Sequence, residues 1–291
     1  MAPACRPRWI GTLLYVPGLY GLGWLLSRPL GVPLGGLAPG LRPDQLDLAG
    51  AVLALALLLL SLPWRLRRAW GCGQPWRQLG LRAPSWPAAA KALLRGLVKA
   101  GALLALVSLA LLASGGARWI GPAGLGGAEL LNALALVLGV GFAEEVLFRG
   151  WLWGELQLRL RPAGALLAQA LVFALVHPWA RAGGWAAVGL LGGLILLGVA
   201  LGLQRRADGG LLWGAIGLHG GLVGGWFALQ AGLLELLPQA PSWLAGPGGA
   251  NPNPIGGLVG WTGLAGLVLL RRPWWRGQTP QPEPPLRAEG S

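Results

Sequence analysis

Long apolar stretches, parted by short breaks rich in Arg, Gly and Pro, run from one end of the chain to the other. A helix that crosses a bilayer needs about 20 mostly apolar residues. Eight stretches are candidates: 9–26, 46–64, 93–114, 130–158, 163–180, 185–204, 210–234 and 255–270. The second, Leu46 to Trp64, is the cleanest. The first holds Pro17 and several glycines, and the last is short. The pattern predicts an all-α integral membrane protein, a polytopic bundle of about eight transmembrane helices. Residues 1–276 form one membrane domain, and the Pro-rich polar tail 277–291 is expected to be disordered. The first apolar run leads straight into more membrane sequence, so no cleavable signal is expected there.

Charge adds direction. Of the 23 Lys and Arg, all but Arg28, Arg42, Arg118 and Arg181 fall on one side if the N-terminus is cytoplasmic and each stretch crosses once. That is the positive-inside pattern, and it places both termini in the cytoplasm. Taking out one middle stretch would destroy the alternation, so the count supports eight spans as well as their direction. The basic segment 65–92, with Pro75, Pro84 and Pro87, is expected as an amphipathic surface segment on anionic lipid. Trp9, Trp64, Trp119, Trp179, Trp185, Trp243 and the pair Trp274-Trp275 lie near span ends, where indoles favour the headgroup layer.

Composition agrees. The chain is 54% hydrophobic and 11% charged, against about 25% charged in a soluble domain. The net charge of +13 is accounted for by the positive-inside distribution, and no nucleic-acid partner is expected. Two cysteines, Cys5 and Cys72, make neither a disulfide framework nor a Cys-based zinc site. No repeat suggests a transporter's two halves. Small residues recur every four positions at Gly189/Gly193, Gly198/Gly202, Gly217/Gly221/Gly225 and Gly256/Gly260, a spacing that lets helix backbones approach closely. Membrane lipids are the expected surroundings, in a bacterial-type cell membrane or an equivalent internal one. The sequence sets no oligomeric state.

Against this apolar background four ionisable side chains stand out. Glu144 and Glu145 lie side by side in Gly141-Phe142-Ala143-Glu144-Glu145-Val146-Leu147-Phe148-Arg149, and the chain's two histidines, His177 and His219, lie in later spans. A carboxylate in hydrocarbon costs roughly 2.5–3.5 kcal/mol on insertion scales, so its presence asks for a partner or a use. Residues four apart share a helix face. Glu145 therefore pairs with Arg149, which is a structural ion pair first. Glu144 lies about 100° around the helix from Glu145, with no basic residue on its own face. In a partly dry cavity its charged form is disfavoured, which suits a general base. Phe173 is four before His177 and can brace the imidazole. Each histidine taken singly is as well explained by an interhelical hydrogen bond. Glu144, His177 and His219 together can converge in a bundle interior.

These residues resemble the intramembrane glutamate proteases related to the CAAX prenyl endopeptidases, also called the CPBP or abortive-infection family. The family's Glu-Glu-x-x-x-Arg motif is matched by Glu144, Glu145 and Arg149, and its Phe-x-x-x-His motif by Phe173 and His177. The third motif, His-x-x-x-Asn, is matched at His219 only, because Val223 stands where the family has Asn. The likeness covers residues 130–230 in detail. It implies a metal-independent peptidase with no cofactor, acting on a peptide or lipidated protein near the cytoplasmic side. Glu144, helped by His177, would activate a water, and His219 would donate to the oxyanion. Losing one oxyanion donor costs about 10²–10³ in rate. Trp226, two turns beyond His219, offers an indole N–H as a replacement.

Two rivals stand beside this reading. Glu144, His177 and His219 are the residue types of a His₂Glu zinc site, although the chain lacks His-Glu-x-x-His. The other is a non-catalytic membrane adaptor or transport component on the same scaffold, which Val223 keeps open, since a missing oxyanion donor weakens only catalysis.

Overall fold

The computed structural model describes residues 8–32, 40–247 and 252–271. Cys5, Trp274-Trp275 and the tail 277–291 lie outside them. The chain's internal contacts gather into two compact units, Met1–Gln78 and Leu79–Ser291.

The first unit is a helical hairpin. Helix α1 spans Trp9–Ser27 and α2 spans Pro43–Trp70, with the short α3, Pro75–Gln78, after them. The two long helices meet backbone to backbone: a Cβ on Gly23 would fall 2.5 Å from the Gly50 carbonyl oxygen. Tyr15 hydrogen-bonds Ser61 at 2.6 Å, and Arg65 lies 4.3 Å from the centre of the Tyr15 ring. Gly71, at φ 65°, ends α2 in the left-handed conformation that glycine adopts without a Cβ penalty.

The second unit carries Glu144, His177 and His219. Helix α4 is Trp86–Ala113, started by the Ser85 side chain, which accepts from the Ala88 amide at 3.4 Å. The long helix α5, Gly127–Gln157, is not uniform. Its residues Leu136–Val140 and Val146–Leu152 are π-helical, flanking the α-helical turn Gly141–Glu145. Then come α6 (Pro162–Leu175), α7 (Gly184–Ala207), α8 (Trp213–Gly232), the short α9 (Ser242–Ala245) and α10 (Leu258–Leu270). Strands β1 (Ala117–Trp119) and β2 (Leu234–Leu236) pair antiparallel, with Arg118 opposite Glu235 in register and in an ion pair.

Five of the helices, those within Trp9–Gly31, Pro43–Trp70, Trp86–Ala113, Gly127–Gln157 and Gly184–Ala207, are long and apolar enough to cross a membrane. Helices α6 and α10 are apolar but shorter. The fold is therefore that of an all-α, multi-pass membrane protein.

One expectation changes. The stretch 163–180 does not continue as helix to its end, because α6 stops at Leu175. Pro178 has no amide hydrogen and disfavours the helical conformation at the residue before it. The basic segment 65–92 spans several elements. It is shared among the end of α2, the short α3 and the start of α4, because Gly71, Pro75 and Pro84 interrupt it.

The glycine ridges place the site. Gly217 lies against α4, where a Cβ would fall 2.2 Å from the Leu93 carbonyl oxygen; a Cβ on Gly96 would fall 2.2 Å from that of Gly214. Gly221 and Gly225 face Ala100 and Leu104 of the same helix. A second ridge, not singled out in the sequence, faces α5: a Cβ on Gly220 would lie 2.1 Å from the Val137 carbonyl oxygen, and one on Gly224 would lie 2.4 Å from that of Ala133. Side chains at Gly220 and Gly224 would hold α8 away from α5. Their absence brings His219 within reach of the glutamates.

Candidate active site

Helix α5 presents Glu144 and Glu145 just before its second π-helical segment. There the Trp153 amide bonds the Phe148 carbonyl, five residues back rather than four. Such widened turns recur at functional sites. The two carboxylates meet opposite surroundings. Glu145 is fully buried, whereas the side chain of Glu144 keeps 29% of its surface exposed.

Glu145 is held by two donors on one oxygen. Arg149 Nη1 reaches its Oε1 at 2.8 Å, and His219 Nδ1 reaches the same atom at 2.8 Å. Arg149 is itself fully buried. The expected ion pair is thus present, and His219 is joined to it.

Glu144 stands between the histidines. Its Oε2 is 3.5 Å from His177 Nε2 and 3.8 Å from His219 Nε2. Both separations exceed a direct N–H···O bond, about 2.7–3.2 Å. His177 owes its orientation to the end of α6. Its amide bonds the Ala174 carbonyl, which tightens the last turn and leaves the Phe173 carbonyl to accept from His177 Nδ1 at 2.7 Å. A carbonyl oxygen only accepts, so Nδ1 carries the proton and, in the neutral ring, Nε2 presents its lone pair toward Glu144. The same reasoning applies to His219, whose Nδ1 donates to the Glu145 carboxylate. His219 Nε2 can donate only when the ring is an imidazolium.

Depth brings these residues together. Glu144 lies 13 residues before the end of α5 and His177 lies 15 after the start of α6. At about 1.5 Å per residue both lie roughly 20 Å from the turn that joins these antiparallel helices.

Phe173, fully buried, joins the two halves of the cluster. Arg149 sits over its ring at 4.1 Å. The His177 ring is 4.5 Å away and tilted, and the rings of His219 and Phe148 meet it edge-on at 5.7 and 5.1 Å. The sequence pointed to Phe173 as a brace for His177. Its contacts with Arg149 and His219 come from other helices and had no sequence signal.

Val223 is half-buried, one turn beyond His219 on α8. Trp226 does not join the cluster. Its indole N–H donates to the Pro252 carbonyl at 2.9 Å, and seven residues of helix carry it about 10 Å along α8 from His219. The N–H suggested as a replacement donor is engaged elsewhere. Among the described residues, no group of three or more His, Cys, Asp or Glu has a geometry that holds a metal ion.

A buried, paired carboxylate beside a half-open one flanked by two imidazoles forms a carboxylate–histidine cluster among the apolar helices of a multi-pass membrane protein. Residues 126–224, which carry that centre, match the family model described as Type II CAAX prenyl endopeptidase Rce1-like. This is the family that the three motifs resemble. Residues 1–74, which nearly coincide with the first structural unit, match a Domain of unknown function (DUF8676). No curated protein matches the chain.

Proposed function

We propose that this chain is an intramembrane endopeptidase of the glutamate type, with Glu144 as general base. The observation that carries the reading is the place of Glu144 Oε2, within 3.8 Å of the Nε2 atoms of two histidines, while Glu145 is bound by Arg149 and His219. One carboxylate is tied down and the other is kept for chemistry.

A water bonded to Glu144 Oε2 and His177 Nε2 is oriented by two acceptors, with a lone pair directed at the substrate. Glu144 takes one proton as the water oxygen attacks the peptide carbonyl carbon. The carbonyl oxygen becomes an oxyanion and accepts from Nε2–H of the His219 imidazolium, whose Nδ1–H stays on Glu145. The protonated Glu144 then gives its proton to the leaving nitrogen. The C–N bond breaks as the oxyanion re-forms the carbonyl, the second water proton passes to His177 Nε2, and a carboxylate and a neutral amine leave. No metal enters these steps.

Helices α6, α8 and α10 join the five long ones in an eight-span arrangement with both termini in the cytoplasm, supported by the distribution of Arg and Lys. The substrate class is a peptide or lipidated protein presented from the membrane.

The test is turnover. The full chain, purified in detergent, is offered a library of lipidated and unlipidated peptides with and without a strong chelator. Cleavage should occur and should be indifferent to the chelator. Cleavage lost on chelation and restored by zinc would replace this reading with a zinc-dependent one. If no peptide is cut under any condition, the adaptor reading takes its place.

Val223 gives a second, sharper result. With Trp226 engaged at Pro252, the oxyanion has one fewer donor than the family pattern supplies. Val223→Asn places an amide beside the His219 imidazole. A hydrogen bond to a charged oxygen contributes roughly 1.5–3 kcal/mol, or about tenfold or more in rate. The expected outcome is a higher kcat, with Trp226→Phe leaving kcat unchanged. An unchanged rate in Val223→Asn would mean that another donor already serves the oxyanion.

A further inference from the structure

The last turn of α7 lies outside the carboxylate–histidine cluster, yet its side chains reach every helix that carries a member of that cluster. Arg205 is the centre of this arrangement. It is buried, 8% exposed, and its guanidinium donates to main-chain carbonyls from three separate segments. Nε reaches Gly210 at 3.0 Å, Nη2 reaches Leu79 at 3.2 Å, and Nη1 bonds the carbonyl of Arg149. A planar fork of donors suits three acceptors in fixed directions, as a lysine ammonium does not. Arg149 is thus gripped twice: its backbone by Arg205, and its side chain by Glu145, which also accepts from His219.

The neighbours of Arg205 extend the hold. Arg206 lies 4.9 Å from the ring centre of Trp153 on α5, and its Nη2 donates at 3.0 Å to the carbonyl of Pro162, where α6 begins. Asp208 accepts from Arg95 of α4 at 2.5 and 3.2 Å and from Gln204 at 2.6 Å. Gln204 in turn accepts from Lys99 of α4. The first turn of α8 abuts the same carboxylate, since a Cβ on Gly214 would lie 1.8 Å from Asp208 Oδ2.

The backbone that Arg205 holds is the π-helical segment Val146–Leu152. Small-residue contacts bring α5 and α8 close but fix their relative height only loosely, because van der Waals contacts between glycine faces carry little directional information. The donors of Arg205 are directional. We propose that Arg205 is a positioning residue, which sets the height of the Glu145–Arg149 pair against His219 by fixing the π segment of α5 from the end of α7. Its kinetic expression rests on the peptidase reading above; its effect on the backbone does not.

The experiment compares Arg205→Gln and Arg205→Lys with the wild-type full chain in detergent, by amide hydrogen exchange and by kcat and KM on a peptide that the wild type cuts. Arg205→Gln should raise exchange over residues 146–153 while leaving α1 and α2 unchanged. It should lower kcat by between tenfold and about 10²-fold, the scale of a misplacement near 1 Å, with KM little altered. Arg205→Lys should recover part of the loss. In a Glu145→Gln background, Arg205→Gln should add little, as expected when two residues act through one path. Unchanged exchange over 146–153 in Arg205→Gln overturns the proposal, whether or not any peptide is cut. A raised KM with kcat intact overturns it as well, because that marks a substrate contact. Raised exchange in a protein whose wild type cuts nothing supports the positioning role and removes the peptidase reading instead. If Arg205→Gln does not fold, Arg205→Lys carries the same comparison, since it keeps the charge and loses the fork.

Discussion

Glu144→Gln is expected to abolish peptide cleavage without loss of folded protein. Glutamine keeps the size and shape of the side chain but cannot take a proton from water at neutral pH. General base catalysis contributes about 10²–10⁴-fold, and here the same group returns the proton to the leaving nitrogen, so both halves of the reaction fail together. The folded protein should survive because the Glu144 side chain is 29% exposed and Arg149 pairs with Glu145 rather than with it. The check is turnover of a confirmed substrate by mass spectrometry, beside a melting curve in the same detergent. Full activity in Glu144→Gln would end the mechanism proposed above.

Its neighbour should behave in the opposite way. Arg149→Ala and Glu145→Gln are expected to lower stability strongly, by roughly 3–5 kcal/mol, the cost of removing one partner of a buried pair. The charge left behind has no surface exposure in either case. Arg149→Ala also takes the cation away from the Phe173 ring, 4.1 Å off, so it loosens α5 against α6. Activity falls too, with the folded fraction and because His219 loses the paired carboxylate that orients it. The melting transition separates the two glutamates: Glu145→Gln shifts it and Glu144→Gln does not. A melt for Arg149→Ala that overlays the wild type would show that the pair contributes nothing to the fold.

This contrast is partly legible in the sequence. The spacing of Glu145 and Arg149 is local, and a helix places such residues together whatever surrounds it. Glu144 stood out for lacking a basic partner on its own face, and His177 was tied to Phe173 by the same spacing. Val223 could be read directly against the family pattern. What was not legible came from between helices. The bond from His219 to Glu145 joins residues 74 positions apart, and nothing in either local stretch announces it. Trp226 shows the converse. Helix periodicity put it on the right face, but the carbonyl of Pro252, in a later segment, takes its N–H.

The sequence by itself determined the membrane class and the places of the long apolar helices, and it singled out the ionisable side chains, Glu144, Glu145, His177 and His219, that stand against them. These follow from hydrophobicity, charge distribution and short-range spacing, each a property of a few consecutive turns. Only the tertiary structure decided which nitrogen of each histidine carries its proton, that His219 joins the Glu145–Arg149 pair, and how α5 is held. Those depend on close approach at Gly220 and Gly224, on the π-helical register of residues 146–152, and on the reach of Arg205 across three segments. Each is set by packing between distant parts of the chain, where the cost of an unsatisfied buried polar group is met by whichever partner the fold brings near.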